Sequence, residues 1–113
     1  MTQLRLNLVE GSVSFRFTPQ AAQDLKGAIA TLMENLKSTA ASGAGSRPSP
    51  KPAMEYQHAG EVFVEIFCNP NIWPSPFAAK VLVTVRDERI RLTTEAELTR
   101  LLEDVNEFLE QVS

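Results

Sequence analysis

The chain has 113 residues, 43% of them hydrophobic, with a formal net charge of −3. That length suits one domain and that apolar content is too high for a disordered chain. The charge argues against nonspecific nucleic-acid binding, and the single Cys68 excludes an intramolecular disulfide. No basic-then-apolar leader opens the chain and no run approaches the roughly 18 apolar residues of a membrane span. The expectation is one domain over residues 1–113, cytoplasmic and not inserted in a membrane.

Leu4, Leu6 and Leu8 alternate with Arg5 and Asn7, and Val13, Phe15 and Phe17 alternate with Ser14 and Arg16. Period-two alternation predicts two half-buried strands, and Glu10-Gly11-Ser12 predicts the turn of a hairpin. Thr18 before Pro19 reads as a helix start, because the hydroxyl caps a free amide and proline at the first position sacrifices no hydrogen bond. Ala22, Leu25, Ile29, Leu32, Met33 and Leu36 then follow at helical spacing, giving an amphipathic helix over about 19–37.

Residues 38–53 are mostly Ser, Ala, Gly and Pro with almost nothing apolar of any size, too little to offset ordering entropy. They predict a flexible low-complexity connector, extending to about residue 57. Next, Val62, Val64, Ile66 and Cys68 oppose Phe63, Glu65 and Phe67. A proline-rich loop from Asn69 to Phe77 leads into Val81, Val83 and Val85, which alternate with Lys80, Leu82, Thr84 and Arg86. A turn at Asp87-Glu88 precedes a short fifth strand, 89–92. Thr94 with Glu97 three residues on has the form of a capping box. The helix it announces carries Leu98, Leu101, Leu102, Val105, Phe108, Leu109 and Val112 on its buried side.

This order predicts an α+β two-layer sandwich: a five-stranded antiparallel sheet with two helices on one face and the other face open. Placing Thr18 on Thr94 superposes the two apolar helix stripes, as duplicated strand–strand–helix units would.

Little in the sequence carries chemistry. His58 and Cys68 are single and make no metal-binding spacing. No glycine-rich phosphate loop is present. The second helix's carboxylates fall at positions expected to face water rather than a catalytic cleft. The expectation is a non-enzyme with no cofactor and no metal.

Two features point to binding. The Asn69–Phe77 loop holds Ile72, Trp73 and Phe77 outside regular structure, stiffened by three prolines, and tryptophan is enriched at binding hot spots. The alternative is that Trp73 and Phe77 fold back onto the core. The second feature is the open sheet face, where Arg5, Arg16, Lys80, Arg86, Arg89 and Arg91 are expected to lie outward with Phe63, Phe67 and Leu82. The expectation is a protein–protein interaction module, an adaptor or assembly factor that also pairs with itself, using Trp73, Ile72, Phe77, Phe63, Phe67, Arg86, Arg89 and Arg91. The same face suits a weak single-stranded nucleic-acid binder. A third alternative is a small-ligand sensor or enzyme with a pocket between the helices and the connector.

Overall fold

The computed structural model describes residues 3–41 and 51–112. Its elements run β1 (Gln3–Asn7), β2 (Ser12–Arg16), α1 (Pro19–Ala41), β3 (Met54–Ala59), β4 (Phe63–Cys68), β5 (Lys80–Arg86), β6 (Arg91–Glu97) and α2 (Leu98–Val112). The fold is α+β, but the strands form two antiparallel sheets rather than one of five. β1 pairs with β2, and the other four pair in the order β3-β4-β5-β6.

The β1–β2 hairpin forms where the alternation predicts it. Leu8 N–H bonds the Gly11 carbonyl at 2.9 Å, and Gly11 takes a φ of +86°, which a side chain would resist. α1 starts as expected: Thr18 Oγ1 accepts the Ala21 N–H at 3.1 Å. It continues to Ala41, four residues past the predicted end.

Three expectations need correction. The connector read over about 38–57 contains β3, whose Met54 and Tyr56 are buried opposite Cys68 and Ile66; residues 42–50 of that segment lie outside the described residues. Thr94 caps nothing. It pairs with Val83 in β6, which runs on to Glu97 opposite Lys80. α2 therefore begins at Leu98, whose N–H is taken by the Ala79 carbonyl at 3.0 Å. The Thr18–Thr94 correspondence consequently joins a helix cap to a strand residue. Lastly, Asp104 on α2 does not face water: its residue is 4% exposed.

One core joins both sheets and both helices. Leu4, Leu6, Phe15 and Phe17 come from the hairpin, and Val64, Ile66, Val81, Val83 and Val85 from the four-stranded sheet. Leu25, Ile29, Leu32 and Leu36 enter from α1, and Leu98, Leu101, Val105 and Phe108 from α2. Among the described residues, no helix is long and apolar enough to cross a membrane.

Two buried polar contacts tie the layers together. Asp104 Oδ2 accepts the Asn7 backbone N–H at 2.8 Å and its Oδ1 accepts Asn7 Nδ2 at 2.9 Å. Arg100 Nε stands 3.4 Å from the same carboxylate. Tyr56 Oη donates to the Ala21 carbonyl at 3.0 Å, joining β3 to the first turn of α1. Burial, assisted by the negative charge of Asp24, pushes the Tyr56 hydroxyl up from 10.0 to about 12.

Replacing Asp104 with Ala leaves two Asn7 donors unpaired and should cost about 3 kcal/mol in urea unfolding; Asp104→Asn keeps part of the contact and should cost less. For Tyr56, the folded state resists ionisation that the unfolded chain allows. Its contribution is therefore fully present below pH 10.0 and lost as pH rises through about 12. In Tyr56→Phe that segment of alkaline destabilisation should vanish, while stability at neutral pH drops by about 1 kcal/mol.

Candidate interaction surface

The register of the four-stranded sheet defines its outer face row by row. One row reads Glu55, Phe67, Leu82 and Glu95 across the four strands; the middle row reads Gln57, Glu65, Thr84 and Thr93. The far row reads Ala59, Phe63, Arg86 and Arg91. The face is thus apolar at one end, polar in the middle and basic at the other end.

The polar middle is internally bonded. Gln57 Nε2 donates to Glu65 Oε2 at 2.8 Å, and the Thr84 and Thr93 hydroxyls meet at 3.3 Å. Thr84 is buried despite facing outward, because this row closes over it.

At the apolar end, Phe67 and Leu82 are direct cross-strand partners and remain 37% and 44% exposed. The Asn69–Phe77 loop stands beside them and contributes Ile72, 67% exposed. Phe67, Ile72, Trp73, Lys80, Leu82 and Glu95 line a groove of about 240 Å³. Of the two readings of Trp73, packing dominates: the indole is half-buried against the core. The indole stands close to the Cys68 thiol at the bottom of this groove. Burial pushes that thiol from 9.0 up to about 11, the nearby indole N–H pulling the other way. Cys68 is thus a buried, protonated part of the loop's floor, without the lowered pKa of a nucleophile. Phe77 does not fold back and is 83% exposed at the end of the loop.

The loop is held by more than its prolines. Asn71 Nδ2 donates to the Lys51 carbonyl and Asn71 Oδ1 accepts the Lys51 N–H, both at 2.8 Å. Asn69 Oδ1 accepts the Asn71 N–H at 3.0 Å. One side-chain amide therefore pairs with the backbone leading into β3 as a neighbouring strand would.

The basic end is occupied differently. The Arg86 guanidinium lies 4.3 Å from the centre of the half-buried Phe63 ring, a cation–π contact. Arg91 is the cross-strand partner of Arg86. Arg89 sits in the β5–β6 turn, where Asp87 Oδ1 accepts the N–H groups of Arg89 and Ile90 at 2.7 and 2.9 Å. These bonds hold the Asp87 carboxyl below its ordinary range. Glu61, Asp87 and Glu88 share a groove of about 550 Å³ with Arg86 and Arg89, so the charge there is mixed. Arg5 and Arg16 belong to the other sheet, and Arg16 contacts Glu61 at 3.5 Å. The basic face expected from six side chains is therefore divided between two sheets.

His58 packs edge-on against Phe17, with centroids 5.1 Å apart. Among the described residues, no group of three His, Cys, Asp or Glu side chains is placed to hold a metal ion. Sequence reasoning omitted Leu82 and Glu95 from the binding set and could not include Glu55, since β3 was unrecognised. The outward phase of Leu82 between valines had already placed it on the open face beside Phe63 and Phe67. In comparisons with known proteins, no family model, no curated protein and no solved structure matches this chain.

In the folded protein at pH 8, Cys68 should react with an aromatic disulfide reagent at least about ten-fold more slowly than in the urea-unfolded chain, because burial lowers its thiolate fraction and blocks access. A stopped-flow thiol assay checks this, and Trp73→Ala should restore much of the lost reactivity by opening the loop's floor.

Proposed function

We propose that this protein is a non-catalytic interaction module of the adaptor or assembly-factor kind, which docks a protein partner on the Phe67–Leu82 end of its outer sheet face. The observation supporting this is a contiguous exposed apolar set, Phe67, Leu82 and Ile72, on a sheet and a loop already fixed by internal bonds. A patch of this kind, rimmed by charge, is characteristic of interaction sites, and a surface ordered beforehand loses less entropy on binding. Phe77 is exposed at the far end of the same loop, outside the groove, whereas Trp73 supports the loop from beneath. The matching partner presents apolar side chains to the groove and a basic group toward Glu55 or Glu95. A cytoplasmic setting is consistent with the unpaired thiol of Cys68.

The single-stranded nucleic-acid reading draws less support. The Phe63 face that stacking would use is covered by Arg86, and Glu65 stands at the centre of the same sheet face.

The test is capture from native lysate on immobilised protein, comparing wild type with Phe67→Ser/Leu82→Ser. Loss of a hot spot of about 2 kcal/mol corresponds to about a 30-fold weaker partner. The double variant should keep the wild-type far-UV spectrum and lose that partner. Equal retention by both proteins would remove this end of the sheet as the docking site.

A further inference from the structure

The outer face of the four-stranded sheet carries opposite charges at its two ends. Glu55 and Glu95 flank Phe67 and Leu82 in one row, while Arg86 and Arg91 stand beside Phe63 two rows away. Among the described residues, none of these four charged side chains forms an ion pair. A molecule docking on the Phe67–Leu82 end must bring apolar side chains and a basic group toward Glu55 or Glu95. The opposite end of this same face offers both.

We propose that the docking partner is a second copy of this chain, packed sheet against sheet about a two-fold axis running across the strands along the middle row. This rests on the docking reading of the Phe67–Leu82 end and names what covers it. The axis lays each strand antiparallel on its own counterpart and exchanges the two outer rows. Phe67 then faces Phe63 of the other copy, Leu82 faces Arg86, and Glu95 faces Arg91. Each contact occurs twice, so the interface is closed and ends at a dimer.

Charge selects this axis. Turning the copies about an axis along the strands would set Glu55 on Glu95 and leave both arginines without an acid. Aligned sheets pack about 10 Å apart and within about 30° of each other, an offset that glutamate and arginine side chains span. One row further out, the same operation brings Lys80 toward Glu88 of the other copy, and Glu97 toward Arg89. The remaining acids beside the basic end are already engaged, Asp87 by the amides of its own turn and Glu61 by Arg16. Arg86 lies 4.3 Å from the centre of the Phe63 ring, and its exposed outer side is where Phe67 of the other copy arrives. The guanidinium is thereby placed between two aromatic rings, a setting that suits it. One contact is unfavourable: the two Glu65 side chains, each held by its own Gln57 amide, meet at the axis. Three rows on four strands span about 14 Å by 14 Å between outer Cα atoms, which places the dimer among weak interfaces.

The experiment is sedimentation equilibrium of the full chain up to about 1 mM, a range that populates a weak dimer. The wild type should dimerise. Glu95→Arg and Arg91→Glu, each alone, should weaken the dimer at least tenfold, because like charges then face each other twice. An equimolar mixture of the two variants should pair as the wild type does, since both contacts of the mixed dimer again join an arginine to a glutamate. Glu65→Gln should tighten the dimer several-fold. Both exchanged side chains are exposed, so each variant should keep the wild-type far-UV spectrum. A wild type that stays monomeric, a dimer indifferent to both charge changes, or a mixture that fails to pair overturns the inference. The two readings fail separately. A monomeric wild type whose lysate capture still depends on Phe67 and Leu82 overturns the second copy and leaves the docking face standing; a monomer whose capture is indifferent to them overturns both.

Discussion

The arrangement depends on one buried carboxylate standing where a strand could have been. In β1 the bond from Leu8 to Gly11 fixes the phase, so Leu4 and Leu6 bond β2 while Gln3, Arg5 and Asn7 present their backbone groups to the opposite edge. At Asn7 that edge is met by Asp104, which accepts both the main-chain and side-chain N–H groups. At Val9 it is met by the Glu95 carbonyl. The hairpin therefore touches the larger sheet through one backbone bond and is then taken over by α2. Two sheets result, with one core. A buried acid left unpaired would be strongly destabilising. The two Asn7 donors and Arg100 make this one a joint between the first strand and the last helix.

That joint also explains why the outer edge of β6 is only partly used. β6 has seven residues because β5 has seven and the ladder runs without interruption from Arg86–Arg91 to Lys80–Glu97. The hairpin follows it only as far as Glu95 before turning toward α2. On the other side of the sheet, Tyr56 fastens β3 to α1 through its hydroxyl, and the Asn71 amide fastens the chain ahead of β3 to the loop after β4. The sheet is thus held at both flanks while its outer face carries no helix.

Much of this was legible in the sequence because it depends on local periodicity. The alternation of Leu4, Leu6, Phe15 and Phe17 set the hairpin's buried face, and Thr18-Pro19 located the start of α1. The phase of Val64 and Ile66 against Phe63 and Phe67 assigned the two faces of β4 correctly. What escaped was nonlocal. β3 has no β-branched residue; its inward side chains are Met54, Tyr56 and His58, and it forms because β4 offers a partner in register. Thr94 and Glu97 satisfy the pattern of a cap, yet strand pairing with Val83 and Lys80 prevails and the Ala79 carbonyl supplies the contact for Leu98. Asp104 reads as one acid among several on α2, since its partner Asn7 is 97 positions away.

The candidate site shows the same division between local signal and tertiary placement. Composition marks the Asn69–Phe77 loop as unusual, but the residue with the strongest binding statistics, Trp73, is the one the core retains. Packing the indole over Cys68 raises Ile72 beside Phe67 and Leu82, and the Asn71–Lys51 bonds hold it there. On the proposed docking face the tryptophan acts indirectly: it supports the loop that carries a smaller side chain. Burying Trp73 also uses the loop's largest apolar surface for stability. The exposed remainder, Phe67, Leu82, Ile72 and Phe77, gains no burial from the core that the described residues form.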